Sequence, residues 1–235
     1  MNKSKKLKLF CFPYAGGSAA VYKRWKPFIS PNIDLMPIEL PGRGAKISEP
    51  FCNSIDELVF YISNVIDEEI PNCDYALMGH SMGALLAYEI ALETKRLKKK
   101  PPVHAFFSGR GAPNIKDEKD KDYHLLNDED FKKKILELGG TPPEVFEHPE
   151  LLELFIPLLR NDFKLAATNF EDRPVDPFEF DITVFVGKAE ELTSEQVYGW
   201  KEHTLGICSI HAFGGAHFFI HDEVRNIVRI INRSI

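Results

Sequence analysis

The sequence predicts an α/β fold, a mostly parallel central sheet flanked by helices, and three observations predict it. Short apolar runs rich in β-branched and aromatic residues alternate with segments of helical periodicity. One of those runs passes directly into a helix through a serine flanked by glycines. One stretch between two runs carries helical patterns with no strand among them, which reads as an insertion. The 235 residues suffice for one domain with a full core, so residues 1–235 are read as a single unit with the insertion at about 114–170.

The elements follow in order. Lys8 to Phe12 is a first strand, and Asp34 to Leu40 a second. Ser54 to Glu69 is a helix: Ile55, Leu58, Val59, Ile62, Val65 and Ile66 form one stripe behind a Ser54 cap, with Glu57 three places on. Tyr75 to Met78 is a third strand, followed by the helix of "MGALLAYEIALE". Val103 to Ser108, Asp181 to Val186 and Cys208 to Phe213 supply three more strands, and Asp222 to Ile231 a closing helix with Val224, Ile227, Val228 and Ile231 on one face. Within the insertion the charged run Lys116 to Asp122 is a solvated loop. Phe131, Ile135 and Leu138 then line one helix that Gly139-Gly140 stops, and Leu151, Leu154, Phe155, Leu158 and Leu159 line another ending before Asn161. A helical cap over the sheet accounts for both.

Composition excludes several classes. A net charge of −6 gives no basis for nucleic-acid binding. The lysine-bearing N-terminus runs into a strand with no signal-peptide core, and no apolar run is long enough to span a bilayer, so the expectation is a cytoplasmic protein without membrane contact. Cys11, Cys52, Cys73 and Cys208 show neither metal-ligand nor redox spacing and read as buried thiols. The basic run Lys95-Arg96-Leu97-Lys98-Lys99-Lys100 sits where a helix ends, and cations there complement the helix dipole.

Gly79-His80-Ser81-Met82-Gly83 lies at the strand-to-helix junction. In such an elbow the serine occupies the apex of a sharp turn, and the glycines avoid collision with strand and helix. The hydroxyl then projects from the carboxyl edge of the sheet, and the Met82 N–H at the helix start can stabilise a developing oxyanion. A serine nucleophile needs a base oriented by a carboxylate. Among eight histidines His217, in "FGGAHFF" just after the last strand, is the best placed. His80, beside the nucleophile, reads as a supporting or pocket residue, whereas His104, His124, His148, His203, His211 and His221 read as surface or packing. The acid is sought after the preceding strand, where Gly187 is followed by Glu190 and Glu191. Asp172 and Asp176 are alternatives.

Several blocks together carry a family resemblance: "LFCFPYAGGSAAVYKRW", "IELPGRGAKISEP", "LMGHSMGALLAYEIA", "SGRGAP", "LLNDEDFKKKILELGGTPPEVF", "LLRNDFKLA" and "FGGAHFF". Over nearly its whole length the chain resembles the type II thioesterases that accompany nonribosomal peptide and polyketide synthetases, similar to the external surfactin-type enzymes. That resemblance implies an α/β-hydrolase fold with a helical lid, Ser81 as nucleophile, His217 as base, and a second oxyanion N–H from Tyr14 or Ala15. It aligns Glu190 with a position usually occupied by aspartate, and the added methylene calls for a loop set farther back. It further implies hydrolysis of acyl thioesters on the phosphopantetheine arm of carrier proteins, an editing role, a monomer, and no cofactor or metal. Arg43, in "PGRG", is a candidate for contacting the arm or for holding its own loop. A general carboxylester hydrolase or lipase would share the elbow, base and lid. A noncatalytic carrier-binding homologue would follow if the Glu190 replacement had disabled the triad.

Overall fold

The computed structural model describes residues 6–70, 73–115, 122–140, 145, 148–168 and 173–235. Six parallel strands form one sheet in the order β2-β1-β3-β4-β5-β6. They are β1 (Leu7–Phe12), β2 (Ile33–Pro37), β3 (Tyr75–His80), β4 (His104–Ser108), β5 (Asp181–Gly187) and β6 (Cys208–Phe213). All six fall on the predicted runs, but β2 ends at Pro37 rather than Leu40, where its pairing with β1 stops. β3 extends two residues further than expected, to His80, because Gly79 and His80 still pair with Phe12, Phe107 and Ser108 on the flanking strands.

Alternation along the strands sends side chains into two cores, as the period of two requires. Phe10, Phe12, Leu77, Phe107, Ile182 and Val184 face α2 (Ile55–Glu69) and α3 (Met82–Arg96). Leu9, Cys11, Met78, Phe106 and Phe185 face the other way, against Tyr22 of α1 (Ala20–Lys23), Trp25, and Ile227, Val228 and Ile231 of the C-terminal helix Val224–Ser234. Each such fully buried side chain contributes about 1.5–3 kcal/mol. The α2 cap forms as expected: Ser54 Oγ accepts from Glu57 N at 3.1 Å. Glu57 in turn accepts from Asn53 N at 2.8 Å, one residue earlier than a reciprocal capping box requires.

Between β4 and β5 lie α4 (Asp128–Leu138) and α5 (Pro149–Ala166). Their apolar faces make a separate cluster of Phe131, Ile135 and Leu159, flanked by Phe155 and Phe163. α5 does not end before Asn161 as the sequence pattern suggested. It continues to Ala166, with Pro157 accommodated inside it, because Leu158, Leu159, Asp162 and Leu165 keep one buried stripe at helical spacing. Most of the charged run, residues 116–121, lies outside the described residues, as do residues 141–144, 146–147 and 169–172. Three short helices complete the chain order: α6 (Ser194–Tyr198), α7 (Phe219–Asp222) and the closing α8 (Val224–Ser234). Among the described residues no helix is long and apolar enough to cross a membrane.

Candidate active site

Every predicted site residue except Arg43 comes from the carboxyl end of a strand, the edge where open parallel sheets bind ligands. At the β3–α3 junction Ser81 has φ 55° and ψ −115°, a conformation few non-glycine residues adopt and one that costs on the order of 1–3 kcal/mol. The flanking glycines are required sterically. A Cβ on Gly79 would lie 1.8 Å from the Gly83 carbonyl oxygen, and one on Gly83 would lie 2.1 Å from the carbonyl oxygen of Phe12. Close packing at Gly83 therefore sets the first turn of α3 against the end of β1, beside the loop that bears Tyr14 and Ala15.

His217 and Glu190 stand on the adjacent β6 and β5 loops. His217 Nδ1 and Glu190 Oε1 are 2.5 Å apart, and Glu190 Oε2 accepts from the Gly187 amide at 3.0 Å. The glutamate's added methylene is thus absorbed by curling the carboxylate back onto its own turn. The two loops are tied together through backbone bonds from Lys188 N to Phe213 O and from Ala189 N to Gly215 O, both 2.9 Å. Of the alternative acids, Asp176 is engaged by Lys95 on the surface, and Asp172 lies outside the described residues. Glu191 lines the same cavity as Glu190 but is exposed.

That cavity, about 410 Å³, is bounded by Ser81, His217, Glu190, Tyr14 and Ala15 below and by α4 and α5 side chains such as Ile135 and Phe163 above. His80 lies behind this wall, fully buried and outside the cavity lining. Its Nδ1 is 2.8 Å from Ser108 Oγ, and its ring centre is 5.0 Å from that of His217. Burial first, then the nearby His217 and His221, hold the His80 pKa well below its ordinary value, so the ring stays neutral. Of the two readings left open for His80, pocket or supporting residue, the structure gives the second position: the β3 register turns the ring inward, out of the cavity and beside His217. Tyr14 is also buried, edge-on to His80, with its hydroxyl 3.0 Å from His221 Nε2. Burial raises the Tyr14 pKa, which leaves the phenol protonated.

Arg43 takes the second of its two anticipated roles. It is buried, and its guanidinium forks onto Asp162 at 2.6 and 2.7 Å and reaches the Gly17 carbonyl at 3.1 Å. It holds loops together and does not line the cavity. The basic run lies far from Ser81, since α3 carries it about 22 Å along its axis. There Lys95, Lys99 and Lys100 pair with Asp176, Asp67 and Asp74.

A serine, an imidazole and a carboxylate converging on one cavity can perform acyl transfer. The family model for the thioesterase domain matches residues 7–235. The chain belongs to the thioesterase domain family. This thioesterase is similar to the gramicidin S biosynthesis protein GrsT of Aneurinibacillus migulanus, at 35% identity over 236 residues covering 100% of this chain and 91% of that protein. The structure of ClbQ from the colibactin nonribosomal peptide and polyketide pathway superposes with a TM-score of 0.90, at 31% identity, over 97% of this chain and 96% of that one. YbtT, a type II thioesterase from the yersiniabactin pathway, gives 0.85 at 26% identity over 99% and 94%. The fold of this thioesterase is accordingly that of the α/β-hydrolases.

Sequence reasoning missed two polar supports. Asp162 lies in "LLRNDFKLA", where the sequence pattern assigns it no role. Its signal was present, a carboxylate inside the apolar stripe Leu158, Leu159 and Leu165. Ser108, the partner of His80, gave no signal, because a serine at a strand end has no distinguishing pattern.

Proposed function

We propose that the chain is a type II thioesterase that removes aberrant or misprimed acyl groups from the phosphopantetheine arm of carrier proteins in nonribosomal peptide or polyketide synthesis. The observation that carries this reading is the 2.5 Å contact of His217 Nδ1 with Glu190, in the cavity that also holds the strained Ser81. Relatives from biosynthetic pathways of that kind support it.

In this mechanism Glu190 fixes the tautomer of His217 so that Nε2 takes the Ser81 proton as Oγ attacks the thioester carbonyl. The oxyanion is held by the Met82 N–H at the start of α3 and by an N–H of the Tyr14-Ala15 loop, each worth roughly a hundredfold to a thousandfold in rate. Collapse breaks the C–S bond, and the proton on His217 passes to the departing thiol. Water then attacks the acyl-Ser81 ester, His217 accepts its proton, and the free acid leaves with Ser81 restored. The α4–α5 insertion is the lid: it covers the serine with apolar side chains and its movement admits the arm. The enzyme acts as a cytoplasmic monomer on acyl-loaded carriers.

The test compares acetyl-loaded carrier protein, acetyl-CoA and a simple acetate ester as substrates. A kcat/KM highest for the carrier is expected. Equal or better turnover of the ester would make the chain a general carboxylester hydrolase, and failure of a serine-directed phosphonate to label Ser81 would leave only a noncatalytic carrier-binding role.

A further inference from the structure

The oxyanion loop of this chain is not held by its own strand alone. Tyr14 to Gly17 forms a tight turn closed by Gly17 N donating to Tyr14 O at 2.8 Å, with Gly16 at φ +77°. The Gly16 amide donates to Asp162 Oδ2 at 2.7 Å. Asp162 belongs to α5, the second helix of the insertion, and is fully buried. The same carboxylate receives both arms of Arg43, and Arg43 also donates to the Gly17 carbonyl. Packing repeats the connection: a Cβ on Gly16 would stand 2.4 Å from Leu159 Cδ2, one turn earlier on α5. Gly16 directly, and Gly17 through Arg43, are therefore pinned to a helix 146 residues away in sequence.

We infer that Asp162 and Arg43 are positioning residues for the oxyanion hole, so that hydrolysis is competent only while α5 is seated. This rests on the serine-thioesterase reading above. A buried carboxylate in an apolar helical stripe is costly unless its partners are supplied. Here those partners are one backbone amide of the oxyanion turn and one guanidinium that grips the turn's carbonyl. Displacing α5 separates Asp162 from the Gly16 amide, and the Tyr14 and Ala15 amides lose the anchor that aims them at the carbonyl oxygen. A lid that opens to admit the arm thus also loosens the hole, and reseating α5 restores it. Water reaching Ser81 in the open state meets an incomplete site, which limits loss of the acyl group before the lid has closed on it.

The experiment measures kcat and KM on an acetyl N-acetylcysteamine thioester, normalised to phosphonate-titrated serine, for wild type, Asp162→Asn and the double variant Arg43→Met with Asp162→Leu. Apolar replacement of a buried pair is commonly tolerated by the fold, so the double variant decides the matter if Asp162→Asn does not fold. The expected result is a kcat about 100-fold lower with KM changed by less than about threefold, as for a misplaced catalytic group. Affinity for an alkyl boronic acid, which forms a tetrahedral adduct on Ser81, should fall in parallel, while a non-hydrolysable thioether analogue binds as to wild type. A folded double variant with kcat within twofold of wild type overturns the inference and leaves the thioesterase reading intact. A wild-type enzyme with no thioester turnover and no serine labelling overturns both.

Discussion

Glu190 uses both carboxylate oxygens, one on His217 Nδ1 at 2.5 Å and one on the Gly187 amide at 3.0 Å. With a side-chain exposure of 6% beside a His217 that is 35% exposed, it is the inner member of the pair. Substituting Glu190→Gln keeps the shape and removes the charge that supports an imidazolium. The kcat is expected to drop about a thousandfold or more, with KM nearly unchanged. Glu190→Asp is expected to fall between, about tenfold down, since the shorter side chain cannot span both partners. Steady-state kinetics on an acyl thioester check both.

Gly187 permits the acid loop to lie against the base loop. A methyl group there would stand 2.6 Å from the Ala216 carbonyl oxygen and 2.8 Å from that of Gly215. Gly187→Ala is expected to push the two loops apart and lower kcat by about 10- to 100-fold. A melting temperature close to wild type would show that the loss is one of alignment rather than of folding.

The main features of this arrangement were legible in the sequence. All six strands, the elbow at Ser81 and the placement of His217 at the same cavity could be read because each rests on local pattern: apolar runs, flanking glycines, a turn after a strand. Glu190 was favoured over Glu191, Asp172 and Asp176 by family resemblance alone, since residue pattern carries no sign of the β5 and β6 loops meeting. The roles of Arg43 and His80 were legible only as pairs of alternatives. Each depends on what a distant segment supplies, Asp162 in one case and Ser108 in the other, and periodicity within a segment carries no information about such pairings. The polar Arg160-Asn161-Asp162 sequence resembles a helix exit and so places the end of α5 before Asn161, whereas burial of Asp162 against Arg43 lets the helix continue to Ala166.

Buried histidines make stability pH-dependent. Burial lowers the pKa of His104 to about 4 and that of His203 to about 4, against an ordinary 6.5. Above pH 6.5 neither the folded nor the unfolded chain protonates these rings, and their full contribution is present. As pH falls from 6.5 toward 4 the unfolded chain takes up protons that the folded chain refuses, so stability is lost through that window, by roughly 3 kcal/mol for each ring at its end. Melting temperatures measured from pH 7.5 to 4.5 should decline, and His104→Gln should flatten the decline. An unchanged slope in that variant would show that His104 does not contribute.

Ser108→Ala removes the hydroxyl 2.8 Å from His80 Nδ1 and leaves that nitrogen buried without it. A destabilisation of about 1–3 kcal/mol is expected in denaturant titration. Turnover per folded molecule should fall only a few-fold, because His80 acts through packing on His217.

In the proposed reaction Ser81, held by the elbow and served by the His217–Glu190 pair, carries the acyl group released from a carrier. Intact-mass detection of deacylation of an acetyl-loaded carrier protein tests it most directly, with wild type, Ser81→Ala and Glu190→Ala run in parallel. Loss of the acetyl mass is expected with wild type, none with Ser81→Ala and a large reduction with Glu190→Ala. Deacylation that persists undiminished in Ser81→Ala, or a wild-type chain that removes no acyl group from any carrier tried, would contradict it.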